Sequence, residues 1–103
     1  MKALVTGASS GIGRDMARYL STLGYDIIAV ARDGKTLNEL KQSLHTNVEI
    51  ISMDLAKEED CKELYNTLKN KKIDILVNNA GFGDFGEFVD TDLDKELNMI
   101  NVN

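Results

Sequence analysis

The chain has 103 residues, fewer than one average domain, so its length favours a single compact unit. Apolar residues make up 43% and charged residues 28% of it, which argues against a disordered protein. A net charge of −5, from 12 basic and 17 acidic residues, predicts neither a nucleic-acid surface nor a membrane surface. The single cysteine, Cys61, cannot form an internal disulfide, and the composition therefore favours a cytoplasmic protein.

Short apolar segments rich in β-branched residues alternate along the chain with stretches of helical periodicity. The segments are 3–5, 27–30, 48–51 and 73–77. They are typical of strands buried on both faces of a parallel sheet. The apolar stripes at helical spacing are Ile12, Met16, Leu20 and Leu23; Leu37, Leu40 and Leu44; Cys61, Leu64 and Leu68; and Leu93, Leu97 and Ile100. This order predicts an α/β fold with a doubly wound parallel sheet.

A glycine-rich turn, T-G-A-S-S-G-I-G at 6–13, joins the first predicted strand to the first predicted helix. Glycine lets the backbone turn sharply and approach a ligand closely. The free N–H groups and the positive dipole end of the helix suit a phosphate. The spacing G-x-x-x-G-x-G differs from that of a P-loop and from G-x-G-x-x-G. The turn therefore indicates a phosphate site, and a glycine-rich turn that binds no ligand is the alternative.

Three motifs, each following a predicted strand, resemble those of the short-chain dehydrogenases/reductases. The turn at 6–13 is similar to that family's cofactor signature, and N-N-A-G at 78–81 is similar to its second signature. Asp54 and Leu55 follow the third strand, where the family places an acidic residue against the adenine. The resemblance covers the whole chain and implies one Rossmann-like, NAD(P)-binding domain over 1–103, with elements β-α-β-α-β-α-β-α and strand order 3-2-1-4.

The resemblance also implies that the chain is truncated before a fifth strand. It would then be the N-terminal part of a longer family domain. The fourth strand would be an open edge, and one sheet face would lack part of its helical cover. We therefore expect self-association, as a homo-oligomer, or else marginal stability.

The resemblance implies a dinucleotide site formed by Gly7, Ser9, Ser10, Gly11, Ile12, Gly13, Arg32, Asp54, Leu55, Asn79, Ala80 and Gly81. By that likeness, Ser9, Ser10 and Ile12 would contact the phosphates and a ribose. Asp54 would contact the adenine amino group, and 79–81 would line the inner ribose. Thr6 would brace the turn at 78–79 rather than touch the cofactor.

The end of the second predicted strand indicates which cofactor is preferred. Family members that use NAD usually carry an acidic residue where this chain has Ala31, and Arg32 follows it. A guanidinium favours a 2′-phosphate through charge-assisted bonds, so we expect NADP(H), with NAD(H) remaining possible. Asp33 would repel that phosphate if its carboxylate faced the cofactor. The alternative is that Arg32 and Asp33 form a solvated pair on a loop.

By resemblance, the reaction is hydride transfer between NADP(H) and a carbonyl or secondary alcohol. Asn103 corresponds to the asparagine of the family's proton relay. The family's serine and Tyr-x-x-x-Lys pair belong beyond a further strand, so we expect these 103 residues to form the cofactor-binding half and to be inactive alone. The alternative is a non-catalytic dinucleotide-binding or interaction module.

Two further features of the sequence bear on the site. Tyr65 and Lys69 match Tyr-x-x-x-Lys by spacing, but they precede the N-N-A-G motif on a predicted helix, and we interpret them as non-catalytic. The aromatic loop at 82–88 suits either the mouth of a substrate site or local core. No cluster of cysteine and histidine has metal-ligand spacing, so no metal site is predicted.

Overall fold

A computed structural model describes residues 1–9, 11–79 and 98–101. Helices and strands alternate along the chain: β1 (Lys2–Thr6), α1 (Gly11–Thr22), β2 (Asp26–Ala31), α2 (Gly34–Ser43), β3 (Val48–Ser52), α3 (Glu58–Leu68), β4 (Ile75–Asn78) and β5 (Asn98–Asn101). The strands form one parallel sheet in the order β3-β2-β1-β4-β5. The predicted α/β class and the order 3-2-1-4 are confirmed.

The register of the sheet brings the ends of the central strands to one edge. Thr6, the last residue of β1, lies opposite Val30 of β2 and Asn78 of β4. Val30 in turn lies opposite Ile51 of β3. Because the strands are parallel, the segments that follow β1, β2, β3 and β4 all leave the sheet at this carboxyl edge.

The prediction for the last element of the chain is wrong. Helical spacing predicts that Ile100 continues a fourth helix, yet β5 pairs in parallel with β4, with Ile75 opposite Asn98 and Asn78 opposite Asn101. This pairing satisfies backbone groups that an edge strand leaves open, which favours a strand over one more helical turn. The described chain therefore contains a fifth strand, and β4 is not an open edge. Leu93 and Leu97 of the same stripe lie outside the described residues.

Helices cover both faces of the sheet, as the right-handed crossovers of a parallel sheet require. On one face α1 and α2 bury their apolar side chains against β1, β2 and β3; these are Ala17, Leu20, Leu37 and Leu40. On the other face α3 buries Cys61, Leu64 and Leu68 against Leu4, Ile28 and Leu76. Each fully buried leucine or isoleucine contributes about 1.5–3 kcal/mol, so both layers stabilise the sheet edge that carries the motifs.

The buried face of α1 differs from its predicted apolar stripe. Gly13, Ala17 and Leu20 are buried, whereas Ile12 and Leu23 are each 55% exposed. The start of the helix presents small residues to the sheet because it lies close to the end of β1, where a Cβ on Gly13 would meet the Gly7 carbonyl oxygen. Ile12 is thereby left at the surface beside the glycine-rich turn.

Candidate functional site

A cleft of about 280 Å³ lies at the carboxyl edge of the sheet. It brings together six of the residues predicted from sequence, namely Gly7, Ser9, Arg32, Asp54, Leu55 and Asn79. Its wall is completed by four residues that were not among those predictions, namely Val30, Ala31, Met53 and Ala56. They could have been found from their positions next to the predicted residues at the ends of β2 and β3. The volume lies just below the usual range for ligand pockets, about 300–1,000 Å³, and suits part of a dinucleotide.

Gly7 and Gly13 allow α1 to begin against the end of β1. Gly7 has a φ of +65°, a conformation that side chains rarely adopt. A Cβ added to Gly13 would lie 2.1 Å from the carbonyl oxygen of Gly7 and 2.6 Å from Asn79 Nδ2. The Asn79 amide donates to that same Gly7 oxygen over 3.4 Å. The glycines thus pack the first motif directly against the second one.

Gly11 is constrained in a different way. Its φ is +58°, but a Cβ added there would have no atom of the described residues within 4 Å. Packing against those residues therefore does not explain a glycine at this position, although the backbone conformation favours one. Gly11 is also the first residue of α1, where N–H groups have no intrahelical partner and the helix dipole is positive. Its backbone is accessible to an anionic ligand.

The side chain of Thr6 links the glycine-rich turn to the segment after β4 by hydrogen bonds. Its side chain is fully buried, and its hydroxyl accepts a hydrogen bond from the Asn79 N–H at 2.9 Å. The same hydroxyl lies 3.2 Å from Asn78 Oδ1 and 3.4 Å from the Val77 carbonyl oxygen, to which it can donate. These contacts agree with the predicted bracing of the turn by Thr6.

The segment after β3 is held by the first turn of α3. The Asp54 N–H donates to Asp60 Oδ2 at 2.9 Å, and Asp54 Oδ1 accepts from the Ala56 N–H at 2.9 Å. The buried Cys61 thiol donates to the Leu55 carbonyl oxygen over 3.2 Å. Asp54 is half-buried and lines the wall of the cleft.

Arg32 and Asp33 leave β2 in different directions. Arg32 is exposed and lines the cleft, and its carbonyl oxygen accepts from Ser52 Oγ at 2.8 Å. Asp33 is the N-cap of α2 and accepts hydrogen bonds from the N–H groups of Lys35 and Thr36. In the part of the chain that the structure describes, the two residues form no ion pair. The expected repulsion between Asp33 and a phosphate is therefore reduced by its orientation.

Hydrogen bonds from Thr36 stabilise the negative charge of the Asp33 carboxylate. The Thr36 hydroxyl donates to Asp33 Oδ2 at 2.7 Å. This bond, followed by the backbone bond from Thr36, holds the pKa of the Asp33 carboxyl below its ordinary value of 3.8. Asp33 is thus ionised at neutral pH while it caps the helix.

Tyr65 and Lys69 lie away from the cleft in the fold. Helix α3 starts after the carboxyl end of β3 and ends before the amino end of β4, so its last turn lies towards the opposite edge of the sheet. Tyr65 is in that last turn, and its carbonyl oxygen accepts from the Lys69 N–H at 2.9 Å. This position agrees with the interpretation that the pair is non-catalytic.

The remaining predicted positions lie outside the described residues; they are Ser10, Ala80, Gly81, the loop at 82–88 and Asn103. Among residues 1–9, 11–79 and 98–101, no three side chains of metal-binding type are grouped as a metal site would need. Within those same ranges, no helix has the length and apolar character needed to cross a bilayer.

The parallel sheet with order 3-2-1-4 and a glycine-rich turn after β1 defines a Rossmann-like domain, a class that binds nucleotides at this edge. Residues 1–103 match the family model described as short chain dehydrogenase. The chain belongs to this family of oxidoreductases, whose members bind NAD(P).

Relatives and solved structures support this assignment. An uncharacterized oxidoreductase of Staphylococcus epidermidis is 36% identical over 103 residues, covering 98% of this chain and 45% of the relative. A bulky-bulky ketone specific alcohol dehydrogenase from Comamonas testosteroni has a TM-score of 0.71 and 36% identity over 80% of this chain and 35% of its own. The closed form of serine dehydrogenase complexed with NADP+ has a TM-score of 0.67 and 36% identity over 76% of this chain and 32% of its own. The chain spans about half the length of the curated relatives it matches.

Proposed function

We propose that residues 1–103 form a single NAD(P)-binding domain of an NADP(H)-dependent oxidoreductase. The proposed reaction is hydride transfer between NADP(H) and a small carbonyl or secondary alcohol. The observation that carries this proposal is the cleft at the carboxyl edge, where segments following β1, β2, β3 and β4 meet. Ligands of open α/β sheets bind at such edges. We further propose a cytoplasmic homo-oligomer, in keeping with the single, buried Cys61 and with the exposed apolar side chains of Tyr19 and Leu23.

The residues of this chain would bind and orient the cofactor. The turn at 6–13 would hold the pyrophosphate through backbone N–H groups, since the backbone at Gly11 is open to the surroundings. Asp54 would accept a hydrogen bond from the adenine amino group. The bonds that Asp54 forms with the Ala56 N–H and with Asp60 of α3 would hold its carboxylate in place for this contact. Asn79, with Ala80 and Gly81, would line the inner ribose. The nicotinamide, when bound, supplies the hydride chemistry.

The proposed preference for NADP(H) depends on Arg32. Arg32 is exposed and lines the cleft, whereas the carboxylate of the neighbouring Asp33 caps α2. A 2′-phosphate would form charge-assisted hydrogen bonds with a guanidinium there, which NADH cannot form. The NADP+ complex of serine dehydrogenase, a structural neighbour, is consistent with this preference.

The proton chemistry of the whole protein needs residues beyond the cleft. We propose that Asn103 takes part in a proton relay and that a serine and a Tyr-x-x-x-Lys pair complete the site in a longer protein. The 103 residues alone would bind cofactor without turnover, because the one such pair within them, Tyr65 and Lys69, lies on α3. A non-catalytic dinucleotide-binding module is the second candidate. Turnover of a carbonyl substrate by these residues alone would contradict the proposed inactivity.

Titration of the chain with NADPH and NADH, followed by cofactor fluorescence, tests the proposal. We expect NADPH to bind more tightly, and Arg32→Ala to weaken NADPH by about tenfold, the lower end for a hydrogen bond to a charged group, because Arg32 is exposed. NADH affinity should change by less than about threefold. Arg18→Ala, which removes an exposed arginine of α1 outside the cleft, is the matched control. Equal affinities for the two cofactors before and after Arg32→Ala would refute the preference, and no binding of either would refute the function.

A further inference from the structure

The carboxylate of Asp33 is fully engaged by the start of α2. Its Oδ1 accepts from the Lys35 N–H at 3.0 Å and from the Thr36 N–H at 3.3 Å. Its Oδ2 accepts from Thr36 Oγ1 at 2.7 Å, the shortest of these bonds. One side chain, Thr36, therefore determines whether the second oxygen of this carboxylate is available.

The backbone around Asp33 is held independently of Thr36. Ser52 Oγ donates to the Arg32 carbonyl oxygen at 2.8 Å, so β3 fixes the residue that precedes Asp33. Gly34, which follows, lies against the same serine, since an added Cβ would be 3.6 Å from Ser52 Oγ. Loss of the Thr36 hydroxyl would therefore remove the bond to Asp33 Oδ2 and weaken the hold on this side chain, without releasing the loop.

The orientation of Asp33 matters because its neighbours reach the cleft. Ala31 and Arg32 line it, whereas Asp33, one residue further along, does not. A carboxylate turned to that side would accept a hydrogen bond from a ribose 2′-hydroxyl and would repel a 2′-phosphate. A single side-chain rotation would thus alter the choice between two cofactors, and the Thr36 bond opposes that rotation.

We propose that Thr36 is a specificity-determining positioning residue for the cofactor. Its hydroxyl holds Asp33 on the N-terminus of α2, which removes an acceptor for NADH and a repulsive charge for NADPH from the cleft. This inference rests on the proposed cofactor site, but it concerns the ratio of the two affinities rather than their absolute values.

Thr36→Val tests the inference because valine keeps the shape of threonine and lacks the hydroxyl. The variant chain is titrated with NADPH and with NADH. We expect NADH to bind about threefold to tenfold more tightly and NADPH to bind more weakly by a similar factor, as expected for one hydrogen bond to a charged group. Thr36→Ser retains the hydroxyl and should keep the wild-type ratio. In Asp33→Asn combined with Thr36→Val, the side chain that loses the Thr36 bond has no charge, and the ratio should return towards wild type.

The outcomes separate this inference from the proposed function. If Thr36→Val changes both affinities by the same factor, or neither, Thr36 is only a helix cap and the inference is wrong, while the cofactor site stands. If the wild-type chain shows no preference for NADPH but Thr36→Val still shifts the ratio towards NADH, the preference assigned to Arg32 is wrong and the inference holds. If the wild-type chain binds neither cofactor, both are wrong.

Discussion

The contact between Gly13 and Gly7 gives a sharp prediction for Gly13→Ala. The added methyl carbon would lie 2.1 Å from the Gly7 carbonyl oxygen and 2.8 Å from its carbonyl carbon. Non-bonded carbon atoms are stable at about 3.5–4 Å, so α1 has to move away from β1 by roughly 1.5 Å. Backbone atoms on the opposing side cannot rotate away as a flexible side chain would.

The magnitude follows from two opposing effects. Overpacking costs about 1–3 kcal/mol, and alanine recovers up to about 1 kcal/mol of helix propensity over glycine. Because the clash is with backbone, we expect a net loss of about 2 kcal/mol in the free energy of unfolding. For a domain of this size, that loss lowers the Tm by roughly 10 °C.

Gly34→Ala is the matched control, because it makes the same chemical change at the first residue of another helix. There the added carbon would be 3.6 Å from its nearest neighbour, an ordinary contact. We expect it to be neutral or stabilising by up to about 1 kcal/mol. Circular dichroism during thermal and urea unfolding measures both variants. Equal Tm values for Gly13→Ala and Gly34→Ala would show that close packing does not require glycine at this turn.

Two other predictions concern hydrogen bonds near the cleft. Thr6→Val leaves the partly buried Asn79 N–H without its acceptor and should cost about 1–3 kcal/mol in urea unfolding, whereas Thr6→Ser should retain most of the stability. Equal losses for the two variants would contradict the role of the hydroxyl. The lowered pKa of Asp33 means that its cap stabilises the folded state above the unfolded pKa of about 3.9 and that this contribution is lost as the pH falls through the lower folded pKa. The difference in urea midpoint between wild type and Thr36→Val should therefore be largest near neutral pH and shrink below about pH 4, and a difference that grows on acidification would refute it.

Much of the fold could be predicted because local patterns and burial agree. The stripe of Cys61, Leu64 and Leu68 is buried as its spacing predicts, and the apolar runs form the central strands. Strand β4 ends within one residue of its predicted end at 77, but it begins at Ile75 rather than at Ile73. There the Asp74 carboxylate accepts from the Lys2 N–H at 2.9 Å, and the Asp74 N–H donates to the Lys2 carbonyl oxygen at 2.9 Å. Periodicity does not detect such a side-chain bond at the start of a strand.

Strand β5 depends on a partner distant in sequence. The spacing of Ile100 with its apolar neighbours is helical, yet the segment pairs with β4. Pairing is decided by the free edge of another strand, which a local pattern does not contain. The same limit applies to α1, whose buried face includes Gly13 and Ala17 beside the predicted Leu20, while Ile12 of the predicted stripe is exposed.

The candidate site was predictable where motifs follow strands, but the contacts that fix it were not. Six of the twelve predicted cofactor residues line one cleft, because parallel strands bring their carboxyl ends together. The bond from Asp54 to Asp60 depends on how α3 docks, which sequence spacing does not give. The orientation of Asp33 had a local signal, since an aspartate before a helix is a common N-cap.

The central claim is that the turn after β1 presents its backbone N–H groups to the pyrophosphate of a dinucleotide. Amide chemical-shift changes of the isotopically labelled chain on addition of NADPH measure this directly. We expect the largest changes at Gly7, Gly11 and Gly13, with further changes at Arg32 and Asp54. Changes confined to the opposite edge of the sheet, around Lys41 and 46–49, or no changes at saturating NADPH, would contradict the claim.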